Sequence, residues 1–571
     1  METQLIRSER ERGLEPKPGL CRPIWLMLAL AGAAALAVVV PFFFLGNASG
    51  HDFEFHLASW MDVVHQWREG VIYPRWAELA NWGYGEPRFI FYPPVSWMLG
   101  AALSFIFPWS MVPGAFIWLA LTLAGVSMYA LAREWLRGRD AIAAGVLFAL
   151  NPYHLLIVYW RSDFAELLAS ALIPLAVLFA MRMASAPRRS FVPLALVTAA
   201  ICLCNAPAAV VVTYGTGLIL LALAIREHGF RPLVYGGGAL ALGFALAAFY
   251  IVPAMFEQPW VNISEVLAQG LTYPENFLFT RTRDLEHTRF NFIASWVAVV
   301  VMVSTCAALI VWRFPTLGKS GRRVGHPGPV GRPRWVMLVL VVASIFLMLP
   351  VSAPLWKHAP ELRYVQFPWR WLLVLDVPFA LCLAAALGRL NGARLRAGWA
   401  AALVGLVFIG LFLTRSNWWD AGGAADFYEE HVQNSAGYFG VDEYGPRGSD
   451  HYDLDQKAPL VTLSGGRVEV RRWGAMRKEF FVRSREPATA ILRLLNYPAW
   501  RVTVNGNPVR ADSVEHTRQM VIQLPSGTSQ VLVWFATTRD RVWGDAISAL
   551  ALMAMLAGAT FSRRETPSPP L

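Results

Sequence analysis

Three groups of residues in this sequence have the types and spacing to do chemistry. The first is His51-Asp52-Phe53-Glu54-Phe55-His56. Carboxylates beside imidazoles can hold a divalent cation, Mg2+ or Mn2+, through Asp52, Glu54 and His56, or one acid can serve as a general base. The alternative is a solvated helix start, where acids are favoured by the helix dipole. The second is Asp163 with Glu166, directly after Trp160-Arg161-Ser162 and at the head of an apolar run. Ionisable groups at the edge of a bilayer are costly and usually face a cavity or a partner; an acidic helix cap is the alternative. Asp52, Glu54, Asp163 and Glu166 are thus the candidate catalytic acids.

The third group is Leu362-Arg363-Tyr364-Val365-Gln366-Phe367-Pro368-Trp369-Arg370, with Lys357 upstream. Arginine suits bidentate capture of phosphate, whereas Lys357 is better read as a snorkelling residue. Arg363, Gln366 and Arg370 join His51, His56, Arg75, Arg88 and Tyr92 as candidates for substrate binding. Asp376, inside an apolar run, either lines a channel or partners an arginine. His154 reads as a hydrogen-bonded core residue.

The elements that must position these groups are apolar. The chain has 571 residues, of which 56% are hydrophobic and 16% charged; soluble domains average roughly 25% charged. Runs at 24–45, 111–132, 141–160, 165–181, 191–204, 208–225, 233–255, 292–312, 335–353, 367–388, 398–414 and 541–560 are candidate spans, each near the ~20 residues a crossing needs. The first is too long for a signal-peptide core and lacks a small-residue cleavage site, so it reads as a retained anchor.

A basic N-terminus over 1–23 places that end in the cytoplasm. Alternate loops then carry Arg133, Arg137 and Arg139; Arg182, Arg188 and Arg189; Arg226 and Arg231; Arg389, Arg394 and Arg396; and finally Arg563 and Arg564. This positive-inside pattern accounts for the net charge of +11; no basic run with interleaved aromatics points to nucleic acid. The pattern survives only if the proline-bounded run 95–107 does not cross. Segment 93–107 is therefore expected to be re-entrant or interfacial, buried in protein where its backbone leaves helical form. The same choice puts Asp52 and Asp163 on one side.

The far side then receives 46–92, 256–290 and 415–540. Residues 52–69 have an apolar side (Phe53, Leu57, Trp60, Met61, Val64, Trp67) opposite Glu54, Asp62, His65 and Glu69, which suggests a helix lying in the membrane interface. Tyr73, Trp76, Trp82 and Tyr84 follow like an aromatic belt. In 415–540 the apolar runs give way to a loop-like lead-in and then short alternating stretches broken by Gly465-Gly466, Asn505-Gly506 and Pro525-Ser526-Gly527. These predict a small antiparallel β-sandwich with a hairpin at Asn505-Gly506. The domain organisation is then a basic N-terminus (1–23), a transmembrane domain (24–414), an external domain (415–540), and a last helix with a cytoplasmic tail (541–571).

The five cysteines all lie in or beside apolar stretches, so the external domain has no disulfide. No GK[ST] phosphate loop, dinucleotide fingerprint, HExxH or GxSxG elbow is found, which argues against ATP-driven transport and zinc proteolysis.

One helix, an external loop opening with acids, a second acidic site at a later external turn, many spans and a late external β-domain: this layout resembles the GT-C superfamily of membrane glycosyltransferases. His51-Asp52 to His56, Tyr73-Pro74-Arg75-Trp76, Gly83-Tyr84-Gly85-Glu86-Pro87, Phe91-Tyr92-Pro93-Pro94, Gln366-Phe367-Pro368-Trp369-Arg370 and Glu443-Tyr444-Gly445-Pro446 resemble a bacterial membrane-protein family labelled as related to 6-pyruvoyl-tetrahydropterin synthase. Tyr497-Pro498-Ala499-Trp500-Arg501-Val502 is similar to the external domain of YfhO-type proteins. The apolar runs add up to about twelve spans with both ends inside, in the bacterial inner membrane; the GT-C resemblance implies a polyprenyl-phosphate sugar donor, an envelope glycan, lipid or protein acceptor, and Asp52 as catalytic base or metal ligand. It also implies Asp163 or Glu166 as the second acidic site. The alternatives are a lipid-linked glycan flippase and a non-catalytic envelope assembly protein.

Overall fold

The computed structural model describes residues 21–311, 333–434 and 436–564. The basic segment before Cys21, most of the Gly/Pro/Arg loop 317–334 and the tail from Glu565 lie outside the described residues. Among those described, nine helices are long and apolar enough to cross a membrane. Two further pairs, Arg231–Leu246 with Ala248–Phe256 and Arg334–Leu347 with Pro350–His358, are bent by 73° and 90°. The sequence predicts a span at 233–255 and another at 335–353, and each is a bent pair; at the second bend Pro350 lacks the N–H that a continuous helix needs. At the first bend the Phe249 N–H is taken up by Ser548 Oγ at 2.9 Å, and that hydroxyl donates to the Ala245 carbonyl at 3.1 Å. Ser548 belongs to the last helix, Arg539–Arg564, so a neighbouring helix satisfies the broken turn.

Helix Phe53–Arg68 is not interfacial. Eleven of its residues are buried, Asp62 among them. Asp62 accepts hydrogen bonds from Gln66 Nε2 (2.7 Å), the Leu79 N–H (3.0 Å) and Tyr438 Oη (2.9 Å), so its polar side is covered by the rest of the external region. The aromatic residues after it are not a lipid belt either. Trp76 packs with Tyr497, Trp500 and Phe535, and the Leu495 N–H donates to the Tyr84 carbonyl at 3.0 Å. Loop 46–92 and the C-terminal β-region thus fold as one layer.

Two short strands, β1 (Asn47–Ala48) and β2 (Trp419–Asp420), pair antiparallel where loop 46–92 begins, and the β-region itself has two antiparallel sheets. β3 (Val461–Leu463), β6 (Ala488–Leu495), β10 (Gln519–Leu524) and β9 (Asp512–Ser513) form one. The other runs β4 (Arg467–Gly474), β5 (Arg477–Ser484), β11 (Gly527–Phe535), β7 (Trp500–Val504) and β8 (Asn507–Val509). Alternating burial along β6 and β11 turns Ala490, Leu492, Val531 and Val533 into a shared core. Val504 pairs with Asn507 across the Asn505-Gly506 turn, whose φ values of 52° and 80° suit a two-residue hairpin.

Helix Pro94–Leu103 is short. Only two spans, Trp109–Ala132 and Gly138–Arg161, separate loop 46–92 from Asp163. The loop and the turn before Asp163 meet, with Asp52 N–H 2.8 Å from the Arg161 carbonyl, and an even number of spans between them fits that contact without a crossing by Pro94–Leu103.

Candidate functional site

The site is built where three chain segments converge. Span Gly138–Arg161 finishes in a π-helical turn over Ile157–Arg161, and Ser162 then turns the chain in the left-handed region (φ 51°). Such turns widen a helix locally and recur at functional sites. Asp163 caps the next helix, its carboxylate accepting the Glu166 N–H at 2.9 Å. The loop after the first span is tied to this turn. Asp52 N–H donates to the Arg161 carbonyl at 2.8 Å, and Ser162 Oγ donates to the Ala48 carbonyl at 2.9 Å and accepts the Gly50 N–H at 3.1 Å. Gly50 is required by this close approach: a Cβ there would stand 2.6 Å from the Arg161 carbonyl carbon.

Arg161 is the centre of the cluster. Its guanidinium donates to Glu166 (2.5 Å), Asp163 (3.0 Å) and Asp52 (3.2 Å). Arg370, from the third segment, donates to Glu166 at 2.8 Å and to the Val365 carbonyl at 2.9 Å, and stands 3.6 Å from Asp163. Tyr153 Oη also donates to Glu166. Three carboxylates therefore face two guanidinium groups. Glu166 and Asp163 are sealed in, but the Asp52 side chain is 38% exposed. Asp52 is the carboxylate of the cluster that is open to solvent.

Burial raises the Asp163 carboxyl, but Arg161, His56 and Arg370 outweigh it and hold the group well below the usual range. His56 Nε2 stands 3.6 Å from Asp163 Oδ1. Tyr92 lies edge-on to Phe55 and His56. Burial, with the nearby Asp163 and Asp52 charges, pushes its phenol well up, so it stays a hydrogen-bond donor. Burial also lowers the His51 imidazole against the Asp52 charge, and its ring meets Phe290 at 4.9 Å. An aromatic wall of Phe290, Trp369 and Phe367 backs Arg161, which lies 5.0 Å from the Trp369 ring.

Other sequence candidates lie apart. Glu54 is exposed and makes no part of the cluster: two residues along a helix from Asp52, it points to the opposite side. Arg88 is buried in an ion pair with Glu86 at 2.7 Å, and Arg75 lies over the Tyr73 ring. Arg363 is exposed at the rim, donating to Tyr364 Oη at 2.7 Å. Gln366 is split between Arg370 (3.4 Å) and the Val266 carbonyl (2.7 Å). His154 meets Ser170 Oγ at 2.9 Å inside the core, and both Asp376 carboxylate oxygens are buried without a hydrogen-bond partner. Arg161 was passed over in the sequence; an arginine ending a span two residues before an acid was the available signal. Tyr153 gave none.

Asp52, Glu54 and His56 do not surround a common point. The residues as arranged do not fit a divalent cation there, because the Arg161 guanidinium already occupies the space between Asp52, Asp163 and Glu166.

A family model described as a 6-pyruvoyl-tetrahydropterin synthase related domain of membrane proteins matches residues 89–418. The chain belongs to this family. The matched region holds Tyr92, the Arg161–Glu166 turn and the Arg363–Arg370 segment. No curated protein matches the chain. Among solved structures, the arabinofuranosyltransferase AftD from Mycobacteria is similar at 17% identity over 68% of this chain and 26% of that one, with a TM-score of 0.42. The Archaeoglobus fulgidus oligosaccharyltransferase tethered with an acceptor peptide is similar at 16% identity over 74% of this chain and 60% of that one, with a TM-score of 0.39. The chain thus spans about a quarter of the length of the first and 60% of the second.

Proposed function

We propose that the protein is a membrane glycosyltransferase of GT-C type. It takes a sugar from a polyprenyl-phosphate donor and passes it to an envelope glycan, lipid or protein on the outer face of the bacterial inner membrane, with both termini cytoplasmic. One observation carries this reading: Asp52 is an accessible carboxylate, held by the buried Arg161, at the surface where the spans meet the β-region.

In the reaction the acceptor oxygen attacks the sugar's anomeric carbon from the face opposite the phosphate. The bond between that carbon and the phosphate oxygen breaks, and the acceptor's proton passes to Asp52, a general base. Charge grows on the departing polyprenyl phosphate, and cations placed there stabilise it. Arg370 is fully engaged by Glu166 and Val365, so its role is to position the acids. Arg363 and Arg289 are exposed and form no ion pair with a carboxylate among the described residues, and Arg289 lies 5.5 Å over Trp160, beside the site. They are the groups suited to the phosphate. An apolar cleft of about 320 Å³, lined in part by Val210, Tyr214, Phe244 and Ile251, ends at Pro360 and Glu361 next to the Arg363 segment. It suits the donor's hydrocarbon chain.

The test is transfer in membranes supplied with defined polyprenyl-phosphate sugars. Wild type and Glu54→Gln should transfer, and Asp52→Asn should lose transfer by about a hundredfold or more. Equal transfer by Asp52→Asn and wild type would overturn the assignment.

A further inference from the structure

A second polar cluster sits at the other end of helix Phe53–Arg68, and no step of the proposed transfer uses it. His65 and Glu69 are one helical turn apart, so they share a face. Glu78 reaches the same point from the loop that follows. His65 Nε2 is 3.7 Å from Glu78 Oε2 and 3.8 Å from Glu69 Oε1. Among the described residues this is the one place where three such groups offer ligand atoms all within 4.8 Å of one another. Atoms bound tetrahedrally to an ion at about 2.1 Å stand about 3.4 Å apart, so small rotations would close the set.

An acidic cluster alone is common on protein surfaces. Here a second observation points to a ligand. Glu78 is 8% exposed, and its Oε2, the atom facing His65, is buried with no hydrogen-bond partner. A buried carboxylate oxygen left in this state is costly. Lys478 does not supply the missing partner: it lies 3.8 Å from the other oxygen, Oε1, and donates to the Gly474 carbonyl at 2.7 Å. Charge agrees. Glu69 and Glu78 both bring carboxylates to this point, and the Lys478 ammonium stands beyond hydrogen-bond distance of Glu78. A cation suits such a pair of oxygen donors.

We propose that His65, Glu69 and Glu78 bind a first-row divalent metal of the Zn2+ class, with water completing the coordination. One imidazole and two carboxylates suit such an ion. The site is structural and lies between domains. Glu69 Oε2 already accepts the Ala475 N–H of the β4–β5 hairpin at 3.1 Å. An ion there pins that hairpin to the helix whose opposite end carries His56 and follows Asp52.

The experiment uses the full chain in detergent, stripped with chelator, loaded with Zn2+ and dialysed, with Co2+ as the spectroscopic probe. Wild type and Asp52→Asn should each retain about one equivalent of Zn2+, show Co2+ absorption bands and gain melting temperature on loading, as for any ligand specific to the folded state. Glu78→Gln and His65→Ala should retain less than a tenth as much and gain nothing. His65 is 37% exposed at its side chain, so its variant keeps the test open if Glu78→Gln fails to fold. Wild-type retention no higher than that of His65→Ala would overturn the proposal. So would metal retained by His65→Ala but lost from Asp52→Asn.

Discussion

The two ends of helix Phe53–Arg68 treat buried charge in opposite ways. At the N-terminal end, Asp163 and Glu166 are buried but each meets a guanidinium, and the one exposed acid, Asp52, is held by the same Arg161. At the C-terminal end, Glu78 is buried with an oxygen left unmet. The contrast separates two demands on polar groups. A reactive acid must be held in place by compensated neighbours and still be reachable; the unmet oxygen of Glu78, beside His65 and Glu69, is where the proposed ion would bind.

The largest expected effect breaks the compensated end. Arg161→Gln leaves the buried Asp163 and Glu166 with Arg370 as their one guanidinium. Removing one partner of a buried ion pair costs roughly 3–5 kcal/mol, so this variant should express poorly or show a sharply lower melting temperature in detergent. A normal melting temperature would mean that the guanidinium does not hold the acids. Next comes Gly50→Ala. Its Cβ would press on the Arg161 carbonyl carbon, Ser162 Oγ and the Trp160 carbonyl oxygen, each at 2.6 Å. Overpacking of this kind costs about 1–3 kcal/mol, and because the turn bears Asp52, transfer should fall more than stability does. Thermal unfolding beside the transfer assay separates the two.

Much of this arrangement was legible in the sequence because it follows from counting. Apolar runs gave the spans, and Pro93, Pro94 and Pro108 bracket the short helix Pro94–Leu103. Alternation and Asn505-Gly506 gave the β-strands. What stayed hidden depends on which surface covers which. Helix Phe53–Arg68 has the pattern of an interfacial helix, and only the fold reveals that Tyr438 and Leu79 cover Asp62. Periodicity shows that a face is apolar and is silent on whether lipid or protein meets it. For the same reason Trp76 resembled a membrane anchor and is in fact packed in the β-region core. The site acids were visible as isolated pairs, but Arg161, which joins them across 109 residues of chain, was not.

Glu443 tests partial compensation through pH. It is half-buried. Burial pushes its carboxyl up to about 7; its own backbone N–H and Arg88 lower it, and Glu86 raises it. Its folded value lies above the ordinary value of 4.5, so between about pH 4.5 and 7 the folded state holds a proton that the unfolded state has released. Stability should therefore fall as pH rises through that window, by at most about 1.4 kcal/mol per pH unit. Glu443→Gln should flatten this part of the melting-temperature profile. An unchanged slope would assign it to other groups.

The smallest expected change in stability belongs to Asp52→Asn, and it makes the sharpest test of the comparison. Asp52 is the exposed member of its ion pair, and exposed pairs contribute about 0–1 kcal/mol. Its removal leaves Arg161 still bound to Asp163 and Glu166, and the backbone bond from Asp52 N–H to the Arg161 carbonyl survives the substitution. The melting temperature should thus stay within a few degrees of wild type while transfer collapses. A variant that loses both together would make Asp52 one more structural member of the cluster, and the division between held acids and a reachable one would fail.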